Sequence, residues 1–364
     1  MQKFFLRTMF VLTFLVGGMV MEAQAESTTP KKGVIRVKLQ PEVALQVGTA
    51  PRMRTNGVVT TGIRPLDRAA RNVKATGIRP MLPYSAKFAK QRAEYGLDRW
   101  YVVTFDESVS SAEARKVFAT TAGVELSEVV TPMSLKEGNK GFRKLDRSKV
   151  LTAPAATMPF NDPFLPQQWH YQNFGTIPYS VVGADINLFN AWKVSTGSDD
   201  VLVAIIDGGV DYTHEDLNQN MYVNTAELNG KEGVDDDGNG YVDDIYGWNF
   251  CTNEPKIYPH SHGTHVAGTV AAVNNNGIGV GGVAGGNGTP GSGVKMISCQ
   301  VFDSRSGTAD GDFAAAIIYA AEKGATIAQC SWGWSAPEYK EQAVLDAIDY
   351  FTKEVYIQDR SAIS

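Results

Sequence analysis

The chain has 364 residues, 43% of them hydrophobic and 20% charged, with 36 glycines and 16 prolines. At roughly 100–200 residues per domain this is enough for about two domains, and the composition excludes both a disordered chain and a collagen-like fibre. The net charge of −5 conceals a division: residues 26–160 hold 23 Lys+Arg against 12 Asp+Glu, whereas residues 161–364 hold 9 against 26. Halves of opposite sign attract one another. The basic residues of the first half are scattered and lack interleaved aromatics, so nucleic acid is not an expected partner.

Lys3 and Arg7 precede a short apolar run, Met9 to Met21, which ends in Ala23-Gln24-Ala25. That is the pattern of a secretory signal peptide over 1–25, cleaved after Ala25. The run is too short to span a bilayer comfortably, so no membrane association is expected after cleavage. The expected location is outside the cytoplasm, periplasmic or extracellular.

Residues 26–160 read as one basic region. Val34–Leu39 is strand-like, and Thr-Gly-Ile-Arg-Pro occurs at both 61–65 and 76–80, a duplication read as a linker or a local binding strip. Trp100–Phe105 predicts a strand. Ser110 caps a helix over 111–121 that Gly123 stops, and Val124–Val130 predicts a second strand. The result is a compact β-α-β module over 99–130, followed by a basic, Pro/Ala-rich exit over 136–159.

From Asn161 the style changes. Val201–Ile206 is an unbroken apolar run, as expected of a strand buried on both faces of a parallel sheet. His262–Ala272 predicts a helix rich in small residues, and Val294–Val301 another strand. Phe313–Lys323 predicts a helix capped by Asp310 or Asp312 and ended by Gly324. Thr326–Ser331 predicts a strand and Pro337–Phe351 a helix. Strands alternating with helices imply an α/β fold with a parallel sheet, whose chemistry sits outside the carboxyl ends of the strands. Cys251, Cys299 and Cys330 are too widely spaced for a CxxC motif, and both one disulfide and buried free thiols are compatible with them.

Two constellations carry chemistry. Asp207 ends the apolar strand and is followed by Gly208-Gly209; a carboxylate there could orient a histidine, bind a cation or cap a turn. His260-Ser261-His262-Gly263-Thr264-His265 opens the small-residue helix. Three histidines in six residues raise the possibility of zinc, although the Glu of H-E-x-x-H is missing. The acidic run Asp235-Asp236-Asp237-Gly238-Asn239-Gly240-Tyr241-Val242-Asp243-Asp244 places oxygen ligands on alternate residues around a glycine, which suits calcium. Its twelfth position is Tyr246 rather than Glu, so an EF-hand is not expected, and a solvated acidic loop is the alternative.

The chain resembles the secreted subtilisin-like serine proteases, the subtilases. The resemblance rests on Val203–Val210, His214-Glu215-Asp216-Leu217, His262–Ala272, Asn275–Val283 and Ser331-Trp332-Gly333. It implies an α/β fold in which a subtilisin-like parallel sheet carries helices on both faces, incomplete at the C-terminus. A small α+β propeptide domain would precede it and act as an intramolecular partner. Asp207 would be the triad aspartate and His262 the general base, with His265 structural. Ser331, Trp332 and Gly333 would form the strand that pairs with a polypeptide substrate, with Gly307 in the opposite wall. Structural calcium would use Asp235, Asp237, Asn239 and Asp243, and a second site would use Asp216 with backbone oxygens around Val273–Val280. No organic cofactor is implied. The family usually has Ser or Thr where this chain has Gly208.

The family's nucleophile motif, Gly-Thr-Ser-Met-Ala-x-Pro, does not occur in these 364 residues, and Thr352–Ser364 reads as polar and aperiodic. The expectation is therefore the N-terminal part (161–364) of a serine endopeptidase, lacking the serine and inactive by itself through truncation or a frameshift. Two alternatives remain: a non-catalytic pseudo-protease or propeptide-type inhibitor of a related protease, and a zinc-dependent hydrolase built on the three histidines.

Overall fold

The computed structural model describes residues 29–135, 158–303, 311–334 and 340–361, with side chains of the last helix described as far as Glu354. The signal-peptide stretch, most of the exit segment and Gly307 lie outside the described residues.

β1 (Val34–Leu39) alternates apolar and basic side chains, so Ile35, Val37 and Leu39 face one way and Arg36 and Lys38 the other. It is followed by α1 (Pro41–Val47), β2 (Arg52–Met53), α2 (Arg64–Asn72), β3 (Ala75–Pro80), α3 (Ala89–Glu94), β4 (Trp100–Phe105), α4 (Ser111–Ala119) and β5 (Val124–Val129). These build a five-stranded antiparallel sheet in the order β2-β3-β4-β1-β5. Its apolar face packs under α2 and α4, with Ile35, Val37, Tyr101 and Val103 against Leu66, Ala70 and Phe118. The expected β-α-β module is real but split, because β1 inserts between β4 and β5. The expected cap of α4 is present, with the Ser110 hydroxyl accepting from the Glu113 N–H.

The duplicated pentapeptide is not a linker. In the first copy Thr61 donates from its N–H (2.6 Å) and hydroxyl (2.7 Å) to Asp67, and Arg64-Pro65 starts α2. The second copy lies within β3. The same five residues take different conformations because their tertiary partners differ.

β6 (Met133–Leu135) leads to the second unit: α5 (Leu188–Ala191), β7 (Leu202–Gly208), α6 (Thr225–Leu228), β8 (Gly247–Asn249), α7 (Ser261–Ala271), β9 (Lys295–Phe302), α8 (Phe313–Glu322), β10 (Ile327–Gln329), β11 (Trp332–Trp334) and α9 (Gln342–Ser361). The parallel sheet runs β10-β7-β9-β8. Successive residues of β7 serve opposite faces: Val203 and Ile205 pack with Ala267 and Ala271 of α7, and Ala204 and Ile206 with α8. α9 departs from expectation, because it begins at Gln342 and continues through the stretch read as aperiodic to Ser361.

The polar face of the N-terminal sheet docks on α8 and α9, where it shares one apolar cluster with the parallel sheet. Arg36, 3% exposed, lies between Glu341 and Asp312. Lys38 and the Trp100 indole N–H both bind Asp346, at 2.7 and 3.0 Å. Glu128 accepts from the N–H groups of Gln342 (2.7 Å) and Ala343 (3.3 Å), capping α9 from the other unit. Arg92 makes a two-pronged pair with Glu322, both contacts at 2.7 Å.

Candidate active site

Asp207 stands at the carboxyl end of β7, and His262 is in the first turn of α7. Glycine lets these elements meet. A Cβ on Gly263 would lie 2.0 Å from the Gly208 carbonyl oxygen, so the first turn of α7 rests backbone on backbone against the end of β7. His262 Nδ1 then lies 2.8 Å from Asp207 Oδ1, which also accepts the Gly208 N–H at 2.6 Å.

The carboxylate is wholly buried, while the His262 side chain keeps 19% of its surface. Desolvation pushes the Asp207 carboxyl above its ordinary range, opposed by the hydrogen bond and charge of His262. A carboxylate on Nδ1 favours the tautomer with its proton there, which leaves the Nε2 lone pair free to accept one.

β11 borders this pair. The Trp332 indole N–H donates to the Ile206 carbonyl at 2.8 Å, one residue before Asp207. Along β11 lies β6, the end of the described N-terminal region. It pairs antiparallel with Leu135 opposite Trp332, Ser134 opposite Gly333 and Met133 opposite Trp334. The expected substrate strand thus holds an extended peptide of this same chain. Ser331 accepts from the Gln329 side-chain amide at 2.6 Å. Gly307 lies outside the described residues.

The histidines do not gather as a zinc site. His260 Nδ1 accepts the His262 N–H, and His262 Nδ1 is taken by Asp207. His265 is exposed; it lines a groove of about 780 Å³ along α7 together with His170, His214, His260 and Gly268. A Cβ on Gly268 would meet no atom within 4 Å, so among the described residues nothing uses the close approach that this glycine permits.

In the acidic run, Asp235 accepts from Asn239 and Gly240 N–H groups, Asp237 from the Asn239 N–H, Asn239 Oδ1 from Tyr241 N–H, and Asp243 from Gly233 N–H. Of the expected ligands, Asp237 alone belongs to the compact carboxylate cluster found among the described residues, with Glu227 and Asp244. The Lys323 ammonium already sits there, 3.0 Å from Asp237 and 3.2 Å from Asp244. It is the cation that holds the Asp237 carboxyl below its ordinary range against the cost of desolvation.

Asp216 is placed differently. It is 2% exposed and accepts from the Val280 N–H and the Asn276 amide, both at 2.9 Å. Asp162, also 2% exposed, holds the same loop through the Asn275 and Asn276 N–H groups. Desolvation raises both carboxyls, and Asp162 raises Asp216 further. Among the described residues no lysine or arginine bonds to either. Two buried carboxylates that hold one glycine-rich loop, with His214 the basic neighbour of Asp216, fit a hard cation. The sequence had flagged Asp216 but not Asp162, Glu227, Asp244 or Lys323, whose signal is spatial.

Comparison with known proteins bears on the family and the fold. Residues 198–361 match the model of the subtilase family, and residues 35–175 match that of the N-terminal region of the same family. Subtilisin-like protease 1 of Plasmodium vivax is 40% identical over 145 residues, covering 40% of this chain and 20% of that protein. A thermophilic serine proteinase of Bacillus sp. (strain AK1) is 29% identical over 239 residues, covering 64% of this chain and 51% of that protein. The crystal structure of fervidolysin from Fervidobacterium pennivorans, a keratinolytic enzyme, shares the fold at a TM-score of 0.51 and 19% identity, over 90% of this chain and 39% of that one. The chain therefore spans from about a fifth to about half of these relatives. It belongs to the subtilase family of serine peptidases.

Proposed function

We propose that residues 161–364 are the Asp-His part of a secreted, calcium-stabilised serine endopeptidase, that 1–25 export it, and that 26–160 are its propeptide. The observation that carries this reading is the Asp207–His262 hydrogen bond of 2.8 Å, with the acid buried and the base partly open. In the reaction, His262 Nε2 takes the hydroxyl proton of a serine as the serine oxygen attacks a peptide carbonyl. His262 then returns the proton to the leaving amine, while Asp207 holds the imidazolium.

These 364 residues contain no Gly-Thr-Ser; in this reading the serine belongs to a part of the enzyme not included in them. The groove along α7, lined by His260, His265 and Gly268, leaves room for a further packed segment beside that helix. Alone, the 364-residue chain should not cleave peptides. Extended through the downstream nucleophile it should, and His262→Ala should abolish that activity. Hydrolysis by the 364-residue chain that disappears in His262→Ala would refute the division of the site.

A second reading is favoured by the β6–β11 pairing: the N-terminal region occupies the substrate strand as an inhibitor would. If inhibition is the chain's role, it should block a related subtilase at nanomolar concentration, and deletion of residues 133–135 should relieve the block.

Calcium is best accommodated by Asp216 and Asp162 with the loop around 273–280. When bound there it would supply the charge those carboxylates lack and fix the loop beside α7. The acidic run has its own cation in Lys323 and is the weaker candidate.

A further inference from the structure

His260 lies outside the triad, yet more contacts join it to the Asp207–His262 pair than its sequence position suggests. Its backbone N–H donates to the Gly209 carbonyl at 2.7 Å, continuing the bridge between Gly209 and Pro259. Its Nδ1 accepts the His262 N–H at 3.0 Å and is the N-cap of α7. Its ring lies over Gly208: a Cβ there would fall 2.5 Å from His260 Cβ and 2.6 Å from Cγ. A hydroxyl-bearing residue at 208 and the ring of His260 therefore exclude one another. In this chain Asp207 Oδ2 is enclosed and has no hydrogen-bond partner among the described residues.

We propose that His260 is a positioning residue for the Asp207–His262 pair, and that Gly208 is glycine to admit its ring. The proposal rests on the reading of that pair as an acid–base site. Its ring nitrogen holds the His262 N–H in the first turn of α7, and its backbone N–H ties that turn to the Gly209 carbonyl just past the end of β7, where Asp207 stands. The cap needs the Nδ1 lone pair. A proton on Nδ1 would set two donors face to face and place a cation at the positive end of a helix. His262 is thus held in register while His260 is neutral and is released as His260 becomes protonated. The ionisable groups that interact with the same pair or line the same groove as His260 are Asp207 on β7, Asp211, His214, Glu215 and Asp216 after it, His262 and His265 on α7, and His170 from the preceding segment. The ring centroids of His260 and His262 are 6.5 Å apart.

The test uses the 364-residue chain with His260→Asn, His260→Ala and Gly208→Ser. Asparagine keeps an N-cap acceptor and cannot titrate. Two readouts apply: hydrogen-exchange protection of the His262 amide against pH, and the NMR signal of the His262 Nδ1 proton bound to Asp207. In the wild type, protection should fall on acidification. In His260→Asn it should be wild-type at neutral pH and lose that dependence. His260→Ala and Gly208→Ser should lose protection roughly five- to tenfold, the usual consequence of removing a cap, and broaden the Nδ1 signal. Alanine and asparagine variants that match each other would overturn the proposal. If the alanine chain does not fold, an asparagine variant that keeps the wild-type pH dependence overturns it as surely. Loss of the Nδ1 signal from the wild type itself would instead sink the acid–base reading beneath it.

Discussion

At the scale of single residues, the site depends on glycines that let backbones touch. Gly263 is a sharp case, because a Cβ there would fall 2.0 Å from the Gly208 carbonyl oxygen and 3.2 Å from that of Gly209. Gly263→Ala should push α7 away from β7 and destabilise the chain by about 1–3 kcal/mol, the usual cost of overpacking. The urea midpoint should fall, and the His262–Asp207 contact should loosen with it. Gly268→Ala, facing open space, should leave the midpoint of this chain unchanged or raised, as alanine favours helix by about 1 kcal/mol. Equal losses at the two positions would contradict the packing argument.

At this scale the sequence left Asp207 open as an orienting, cation-binding or capping carboxylate, and only the family resemblance singled out its pairing with the first histidine of H-G-T-H; the structure brings the two within 2.8 Å. The capping role of His260 was not legible, since a histidine beside two others carries no mark of which ring nitrogen is free. Asp162 was equally hidden: Asp216 lies 54 positions away, and only the folded chain brings both carboxyls onto the loop around 275–280.

Between elements, the docking of the N-terminal sheet on α8 and α9 decides more than local propensity does. β7 was readable as a continuous apolar run, but α2 went unread, because Arg and Asp surround the three residues it buries, Leu66, Ala69 and Ala70. β8, three residues long, has no period to read. The interface itself rests on buried ionic contacts, which cost desolvation and are severe to break. Arg92→Ala would strand Glu322 in the interface and should cost about 3–5 kcal/mol, detectable as early proteolytic release of the N-terminal unit. Replacing both residues by apolar ones of similar size should recover much of that loss.

The Glu128 carboxyl sits in the same interface. Desolvation raises it from 4.5 to about 7, against the pull of Arg36 and the two N–H groups it caps. The folded chain therefore holds a proton there that the unfolded chain releases. This contribution favours the folded state at acid pH and is lost as pH rises from about 4.5 to about 7. Glu128→Gln should flatten that part of a stability–pH profile; an unchanged slope would show that the carboxyl titrates normally.

Over the whole molecule, a basic N-terminal region lies on an acidic partner, with α8 and α9 between two sheets. The charge division was visible in the sequence before any fold, and the contacts of Arg36, Lys38 and Arg92 show how it is used. Added salt should weaken association of the two units less than their charges suggest, because these pairs are buried and poorly screened. Calcium chelation should lower the melting temperature, and Asp216→Asn should remove that sensitivity. Chelation without effect on the parent chain would exclude calcium from the Asp162–Asp216 loop.

The central claim is that Asp207 fixes His262 with its proton on Nδ1 and its Nε2 free to act as a base. The nitrogen NMR spectrum of the His262 imidazole tests this most directly, because the two tautomers give distinct shifts. The account predicts the Nδ1–H tautomer in the parent chain and a change toward Nε2–H in Asp207→Asn. An Nε2–H tautomer in the parent chain, or a spectrum unmoved by Asp207→Asn, would contradict it.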